Sequence, residues 1–145
     1  MPFKRILCGV DFSDSSLRAF QTAVEMARQS KASLHVLHLI EAQPFVPGLL
    51  PAKGLSEVLL AIEEKAGAAM RSLVKSSARR LKGLKVTTEI DDGRAFVEII
   101  KRAHKRKADL IVIGAKGAAS VEEIVAGGTA ENVVRRVACS VLVVR

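Results

Sequence analysis

Two glycine clusters near the C-terminal end of the sequence have the composition of a phosphate-binding site. Gly114-Ala-Lys-Gly117 follows an apolar run directly, and after nine intervening residues Gly127-Gly128-Thr129 opens a helical pattern. Glycine has no Cβ, so its backbone N–H can approach an anion closely, and a helix N-terminus adds N–H donors at the positive end of its dipole. We therefore predict a phosphate cradle at Gly127, Gly128 and Thr129, to which Lys116 adds a positive charge.

Other residue types that carry chemistry are present, but their spacing does not assemble a site. His35 and His38 are an odd number of positions apart in a strand pattern, so they point to opposite faces and cannot share a metal ion. We interpret them as packed or loop-capping side chains. Cys8 and Cys139 match no metal or redox spacing, which is typical of a protein of the reducing cytoplasm. No general base or arginine finger stands out, so we expect at most a slow ATPase.

The elements that position the glycine clusters follow from the hydrophobic periodicity, which predicts strands alternating with helices. A first helix is expected to begin at an N-cap provided by Ser13 or Asp14. Residues 42–55 hold three of the four prolines and are predicted to form a loop. The predicted strands cover residues 3–10, 34–40, 84–90, 109–113 and 141–144. The first helix is predicted to end near residue 30, and two others cover residues 56 to about 82 and about 129 to 137, with one more marked by Phe96, Val97, Ile100 and Ala103.

This alternation predicts an α/β fold of the doubly wound class, with a five-stranded parallel sheet and helices on both faces. Strand three alternates apolar residues with Lys85, Thr87 and Glu89, so one of its faces is wet and it belongs at a sheet edge. The strand order 3-2-1-4-5 meets that condition. Its winding reverses between strands one and four, and ligands bind outside the carboxyl ends of strands at such a point. Those ends are Asp11 and Gly114.

The composition is that of an ordinary globular protein, with 145 residues of which 49% are apolar and 26% charged. We expect a single domain over residues 1–145, no membrane segment and no signal peptide. The net charge of +8 suggests an anionic partner. The absence of Trp and Tyr argues against single-stranded nucleic acid, which is usually held on aromatic side chains. Residues 94–107 hold six Lys or Arg and one acid, which is either a binding patch or a solvated helix face.

The last strand pattern, Val141 to Val144, is apolar throughout. An edge strand of this kind would leave unpaired backbone groups on an apolar ribbon. Pairing with the same strand of a second subunit removes that exposure in a twofold interface. We therefore predict a homodimer through this strand.

The sequence resembles the UspA-like universal stress protein family over nearly its whole length. The family's nucleotide signature is Gly, two residues, Gly, nine residues, Gly, then Ser or Thr, and it corresponds here to Gly114, Gly117, Gly127 and Gly128. Four further segments match the family, namely Val10-Asp11-Phe-Ser13, residues 108–114, residues 130–134 and residues 139–144. The resemblance implies a flavodoxin-like fold and a dimeric stress-response sensor or switch that binds ATP, ADP or AMP. It also leaves a protein partner to be identified.

The resemblance also implies roles for individual positions in nucleotide binding. Asp11 would accept hydrogen bonds from the ribose hydroxyls or hold Mg²⁺ against the phosphates. Leu39 would offer backbone groups to the adenine edge. The resemblance implies that the base and ribose are lined by Gly9, Val10 and Asp11. It implies that the ribose and phosphates are flanked by Ile113, Gly114, Lys116 and Gly117. The phosphate chain would be held by Gly127, Gly128, Thr129 and Ala130.

Two departures from the family pattern bear on this expectation. Gly128 stands where the family has Ser or Thr, and Ala130 stands where it often has a hydroxyl residue. The backbone N–H groups survive both changes, but two hydrogen bonds to phosphate are lost, each worth about 1.5–3 kcal/mol to a charged group. Thr129 and Ser120 are near enough in sequence to compensate. The alternative is therefore a dimeric protein-interaction module of the same fold with a vestigial nucleotide site.

Overall fold

The computed structural model describes residues 2–41, 52–115 and 128–145, and within them five strands form one parallel sheet. The strand order is β3-β2-β1-β4-β5, as predicted. The elements are β1 (Arg5–Gly9), α1 (Asp14–Ser30), β2 (Ser33–Ile40), α2 (Ala52–Ser76), α3 (Ala78–Leu81), β3 (Val86–Asp92), α4 (Ala95–Arg106), β4 (Leu110–Gly114), α5 (Thr129–Arg136) and β5 (Ser140–Val144).

Side-chain alternation along the central strands produces two apolar cores, one on each face of the sheet. On β1, Cys8 is fully buried among side chains of α1 and α2, whereas Leu7 is buried on the other face among side chains of α4 and α5. Cys8 pairs in register with Val36 of β2 and Val112 of β4. The sheet is therefore covered on both faces, and β1 and β4 are neighbours at its centre.

The first helix begins where the sequence predicts, and Ser13 rather than Asp14 is the N-cap. The Ser13 side chain accepts a hydrogen bond from the backbone N–H of Ser16 at 3.4 Å. Helix α1 ends at Ser30, and its C-cap Lys31 adopts a left-handed conformation with φ 55°. The N-cap at Ser13 places the start of α1 just after the carboxyl end of β1.

Several predicted boundaries were wrong. The bounds of β1, β2, β3, β4, α5 and β5 differ from the predicted ones by one or two residues at one end or both, and those of α2 differ more. Helix α2 begins at Ala52 instead of residue 56 and ends at Ser76, and the short α3 follows after Ser77. The predicted loop therefore loses residues 52–55, and its remainder from 42 to 51 lies outside the described residues. Strand β3 runs from Val86 to Asp92 rather than 84–90, because its pairing with β2 continues to the register pair of Ile40 and Asp92.

None of the helices in the described parts of the chain is both long enough and apolar enough to span a bilayer.

Candidate functional site

The ends of β1 and β4 bring Asp11 and Gly114 to the same edge of the sheet. Cys8 and Val112 are register partners, so the residues that follow them leave the sheet side by side. The backbone N–H of Val10 still donates to Leu37 O at 2.9 Å, and Asp11 is the first residue beyond this bond. We call this region, with the start of α5, the carboxyl edge.

The Asp11 carboxylate is exposed but oriented by the turn that leads into α1. Its Oδ1 accepts from the backbone N–H of Ser13 at 2.9 Å and from the Ser13 hydroxyl. The Asp11 backbone N–H donates to Ser16 Oγ at 3.2 Å. The turn therefore presents a carboxylate acceptor to solvent in a fixed position, which suits a ligand that carries hydroxyl groups or a cation.

Two residues that the sequence did not single out for this edge support the turn. Phe12 adopts a left-handed conformation with φ 64°, which is uncommon for a bulky residue. Its ring lies 4.7 Å from the ring of His38, and His38 Nδ1 contacts the carbonyl oxygen of Val10 at 2.7 Å. No local pattern joins Phe12 to His38, since they belong to different elements. The interpretation of His38 as a packed side chain is confirmed.

Gly114 packs directly on the first turn of α1. A Cβ added at Gly114 would lie 2.6 Å from Ser15 Oγ and 2.7 Å from the backbone nitrogen of Ser16. The end of β4 and the start of α1 can approach this closely only because residue 114 has no side chain. This contact joins the Asp11 turn to β4.

Several predicted nucleotide-binding residues have their side chains in the apolar core. Val10, Leu39 and Ile113 are all buried, so only their backbone groups can serve a ligand. At Gly9, an added Cβ would lie 3.1 Å from Ile99 Cδ1 and 3.3 Å from Ile113 Cγ2. Gly9 therefore lies in a tightly packed place between β1, β4 and α4, where a side chain would have to displace the ends of Ile99 and Ile113.

Helix α5 begins at Gly128, which is its N-cap and supplies no side-chain cap. The Gly128 carbonyl accepts from the backbone N–H and the side chain of Asn132, both at 3.1 Å. Among the described residues, apart from its chain neighbours, none has an atom within 4 Å of a Cβ added at Gly128. Ala130 packs against the core cluster that contains Ile99 of α4 and Ile113 of β4, so the first turn of α5 lies on the same face of the sheet as α4. The first-turn N–H groups, including that of Thr129, have no acceptor within the helix itself.

The structure thus brings Gly9, Val10, Asp11, Ile113 and Gly114 together, and the first turn of α5 packs through Ala130 on the core cluster to which Ile113 belongs. Lys116, Gly117, Gly127 and Ser120 lie outside the described residues, so the predicted cradle is described only from Gly128 onward.

The remaining candidate residues have structural surroundings. His35 is 6% exposed, and its two ring nitrogens contact Thr87 Oγ1 at 2.6 Å and Glu89 Oε1 at 2.8 Å. Burial raises the pKa of the Cys8 thiol to about 12, and burial also raises the pKa of Cys139. Within residues 2–41, 52–115 and 128–145, no three His, Cys, Asp or Glu side chains are grouped to hold a metal ion.

Comparison with known proteins agrees with this architecture. The sequence model of the universal stress protein family matches residues 2–145. A universal stress protein of Methanocaldococcus jannaschii is 36% identical over 143 residues, an alignment that covers 99% of this chain and 82% of that protein. The solved structure of UspA from Lactobacillus plantarum has a TM-score of 0.84 and 33% identity, covering 100% of this chain and 99% of that one.

Two more distant solved structures share the fold and contain nucleotides. A universal stress protein in complex with cAMP has a TM-score of 0.69 and 24% identity, with 100% of this chain and 98% of that chain covered. A universal stress protein from Archaeoglobus fulgidus in complex with dAMP has a TM-score of 0.65 and 21% identity, and both chains are fully covered.

Proposed function

This chain belongs to the universal stress protein family, and on that basis we propose that it binds an adenine nucleotide at the carboxyl edge. In this proposal the protein is a dimeric sensor or switch in the stress response, whose loops respond to the bound nucleotide. Related proteins of the same fold are described as complexes with cAMP and dAMP, which supports an adenine nucleotide as the ligand class.

The observation that carries the proposal is the oriented Asp11 carboxylate at the switch point of the sheet. It is exposed, it is fixed by the Ser13 backbone and hydroxyl, and it lies where β1 and β4 end side by side. A carboxylate in this position is a suitable acceptor for two vicinal ribose hydroxyls. The backbone groups of Leu39, near the end of β2, are the local candidates for the adenine edge.

The start of α5 is the proposed site of the phosphate groups. Its first-turn N–H groups lie at the positive end of the helix dipole, and no atom of the described part of the chain beyond the adjacent residues lies within 4 Å of a Cβ added at Gly128. Lys116, Gly117 and Gly127 complete the phosphate site in this proposal. A bound Mg²⁺ would neutralise phosphate charge, and Asp11 is its candidate protein ligand.

The homodimer is proposed to form through β5. This strand pairs with β4 on one side, and its Val143 is an exposed large apolar side chain at 38% exposure. A second copy of β5 would pair with the open backbone groups and cover Val143.

One observation favours the alternative of an interaction module with a vestigial site. Gly128 gives α5 no side-chain cap, so the hydroxyl that would contact phosphate in the family pattern is missing. The variant Gly128→Ser restores that hydroxyl, and Gly128→Ala is the matched control because it adds a Cβ alone. If the site is functional, Gly128→Ser should bind ATP about tenfold more tightly than Gly128→Ala. Equal binding by both variants would favour the vestigial site.

The experiment that tests the proposal is identification of the nucleotide that purifies with the protein. The protein is denatured without added nucleotide, and the supernatant is separated by ion exchange with detection of adenine absorbance. The variant Asp11→Asn keeps an oxygen that can accept from Ser13, whereas Asp14→Asn makes the same charge change three residues away, at an exposed position in the first turn of α1. We expect ATP, ADP or AMP from the native protein and from Asp14→Asn, and much less from Asp11→Asn.

Equal retention by the two variants would contradict the role given to Asp11. A native protein that carries no nucleotide, and that releases no heat on titration with ATP and Mg²⁺, would contradict the proposal as a whole.

A further inference from the structure

A cavity of about 670 Å³ opens at the amino end of the sheet, at the opposite end of the strands from the carboxyl edge. Four cationic side chains line it: Arg5 of β1, Lys85 just before β3, and Lys105 and Arg106 at the end of α4. No Asp or Glu is among its described lining residues. We call this cavity the basic groove.

Strand alternation explains why these cations converge on one face. Arg5 and Leu7 share a face of β1, and Leu7 belongs to the core cluster on the α4 side of the sheet. Lys85 shares a face with Thr87, whose hydroxyl contacts the buried His35 at 2.6 Å. Lys105 and Arg106, in the last turn of α4, line the groove on the same face of the sheet.

Two of the four cations are held in place by hydrogen bonds. Arg5 Nε donates to the carbonyl of Lys107 at 2.9 Å, and Arg106 Nη2 donates to Thr87 Oγ1 at 3.3 Å. Lys85 and Lys105 are exposed, and neither has an ion-pair partner among the described residues. The groove therefore combines two oriented guanidinium groups with two lysines that can adjust to a ligand.

The helix dipole does not account for the whole cluster. Cations are favoured in the last turn of a helix, which explains Lys105 and Arg106. Arg5 belongs to β1 and Lys85 precedes β3, so that dipole does not determine their placement. Like charges brought together repel each other, and a bound anion would remove that cost.

We propose that the basic groove binds a small polyanion that carries at least two phosphate groups. Guanidinium groups match phosphate oxygens in paired hydrogen bonds, and lysines add point charges. The cavity volume lies in the usual range for small-molecule sites. Its described lining contains no Phe, Tyr or Trp, so it lacks the stacking surfaces that single-stranded nucleic acid requires.

Tripolyphosphate is the probe for this site, and backbone amide NMR shifts are the readout. We expect saturable shifts in the residues around Lys85, Thr87 and Arg106. Binding at the proposed nucleotide site would shift a different set of amides, because that site lies at the other end of the sheet. Shifts confined to the carboxyl edge, or no saturable shifts at all, would overturn the basic groove without deciding the nucleotide proposal.

A charge-matched pair of double variants completes the test. Lys85→Gln with Lys105→Gln removes two positive charges from the groove. Lys65→Gln with Lys75→Gln removes two from exposed positions on α2. We expect the first pair to weaken tripolyphosphate binding roughly tenfold and the second to leave it within about twofold. Equal weakening by both pairs would show binding to overall charge and would overturn the proposal.

Discussion

The geometry of the carboxyl edge depends on the absence of a Cβ atom at Gly114. An added Cβ would lie within 2.8 Å of three atoms at the start of α1, two of which are backbone. Gly114→Ala must therefore separate β4 from α1, and we expect it to lower the free energy of unfolding by about 1–3 kcal/mol. Denaturant unfolding measures this change.

The same glycine-to-alanine substitution at Gly67 is the control, because we do not expect it to lower the free energy of unfolding. It lies inside α2, where the atoms of other described side chains within 4 Å of an added Cβ belong to the flexible end of Arg71. Gly67→Ala should leave stability unchanged or raise it by up to about 1 kcal/mol, because alanine favours a helix interior. Similar destabilisation by both substitutions would contradict the close contact described at Gly114.

His35 is the residue from which we expect a pH dependence of stability. Burial lowers its pKa below the ordinary value of 6.5, while the hydrogen bond that the ring donates to Glu89 raises it, and the positive charges of Arg106 and Arg102 add to the lowering. The unfolded chain therefore takes up the proton more readily than the folded one. The free energy of unfolding should fall as the pH drops below about 6.5, until His35 is protonated in the folded state too.

The variant His35→Gln tests this assignment, with His104→Gln on the exposed side of α4 as the control. Urea unfolding at a series of pH values should show a smaller fall below pH 6.5 in His35→Gln than in the control. An identical fall in both variants would assign the dependence to other groups.

Among the elements, β5 is the strand through which we predict the dimer, and the prediction depends on which of its backbone groups face away from β4. The carbonyl of Val144 accepts from the Ala115 N–H at 2.7 Å, so Val144 faces β4. Backbone groups alternate sides along a strand, so those of Val143 face the open edge. Val143→Pro removes the outward N–H without breaking the ladder with β4.

Sedimentation equilibrium is the measurement for this prediction. We expect Val143→Pro to be a monomer at concentrations where the native protein is a dimer. Leu60→Ser, which removes another exposed apolar side chain on α2, should leave the dimer intact. A dimeric Val143→Pro variant would contradict assembly through β5.

The strand order could be predicted because each strand is a local apolar or alternating run and right-handed crossovers restrict its neighbours. The start of α2 was wrong because the prolines and glycines of residues 42–55 obscured helical residues that follow Pro51. Within the site, Asp11 was identified because it ends a buried strand. The contacts of Gly114 with Ser15 and of Phe12 with His38 join distant parts of the chain, and no local pattern reveals them.

In the molecule as a whole, the positive side chains of residues 94–107 differ in whether they form ion pairs. Arg102 has a side chain only 13% exposed and contacts both Glu89 and Asp91 of β3, at 3.0 and 2.5 Å. Part of the charge in residues 94–107 is therefore neutralised within the fold. Lys105 and Arg106 remain at the basic groove, so the chain is proposed to have anion sites at opposite ends of one sheet.

Titration calorimetry of the native protein with AMP, ADP and ATP, with and without Mg²⁺, measures nucleotide binding at the carboxyl edge. We expect saturable heat for at least one adenine nucleotide, with one bound per chain, because each chain has one carboxyl edge. No heat with any of the three at millimolar concentration, on protein shown to be free of bound nucleotide, would contradict the proposed function.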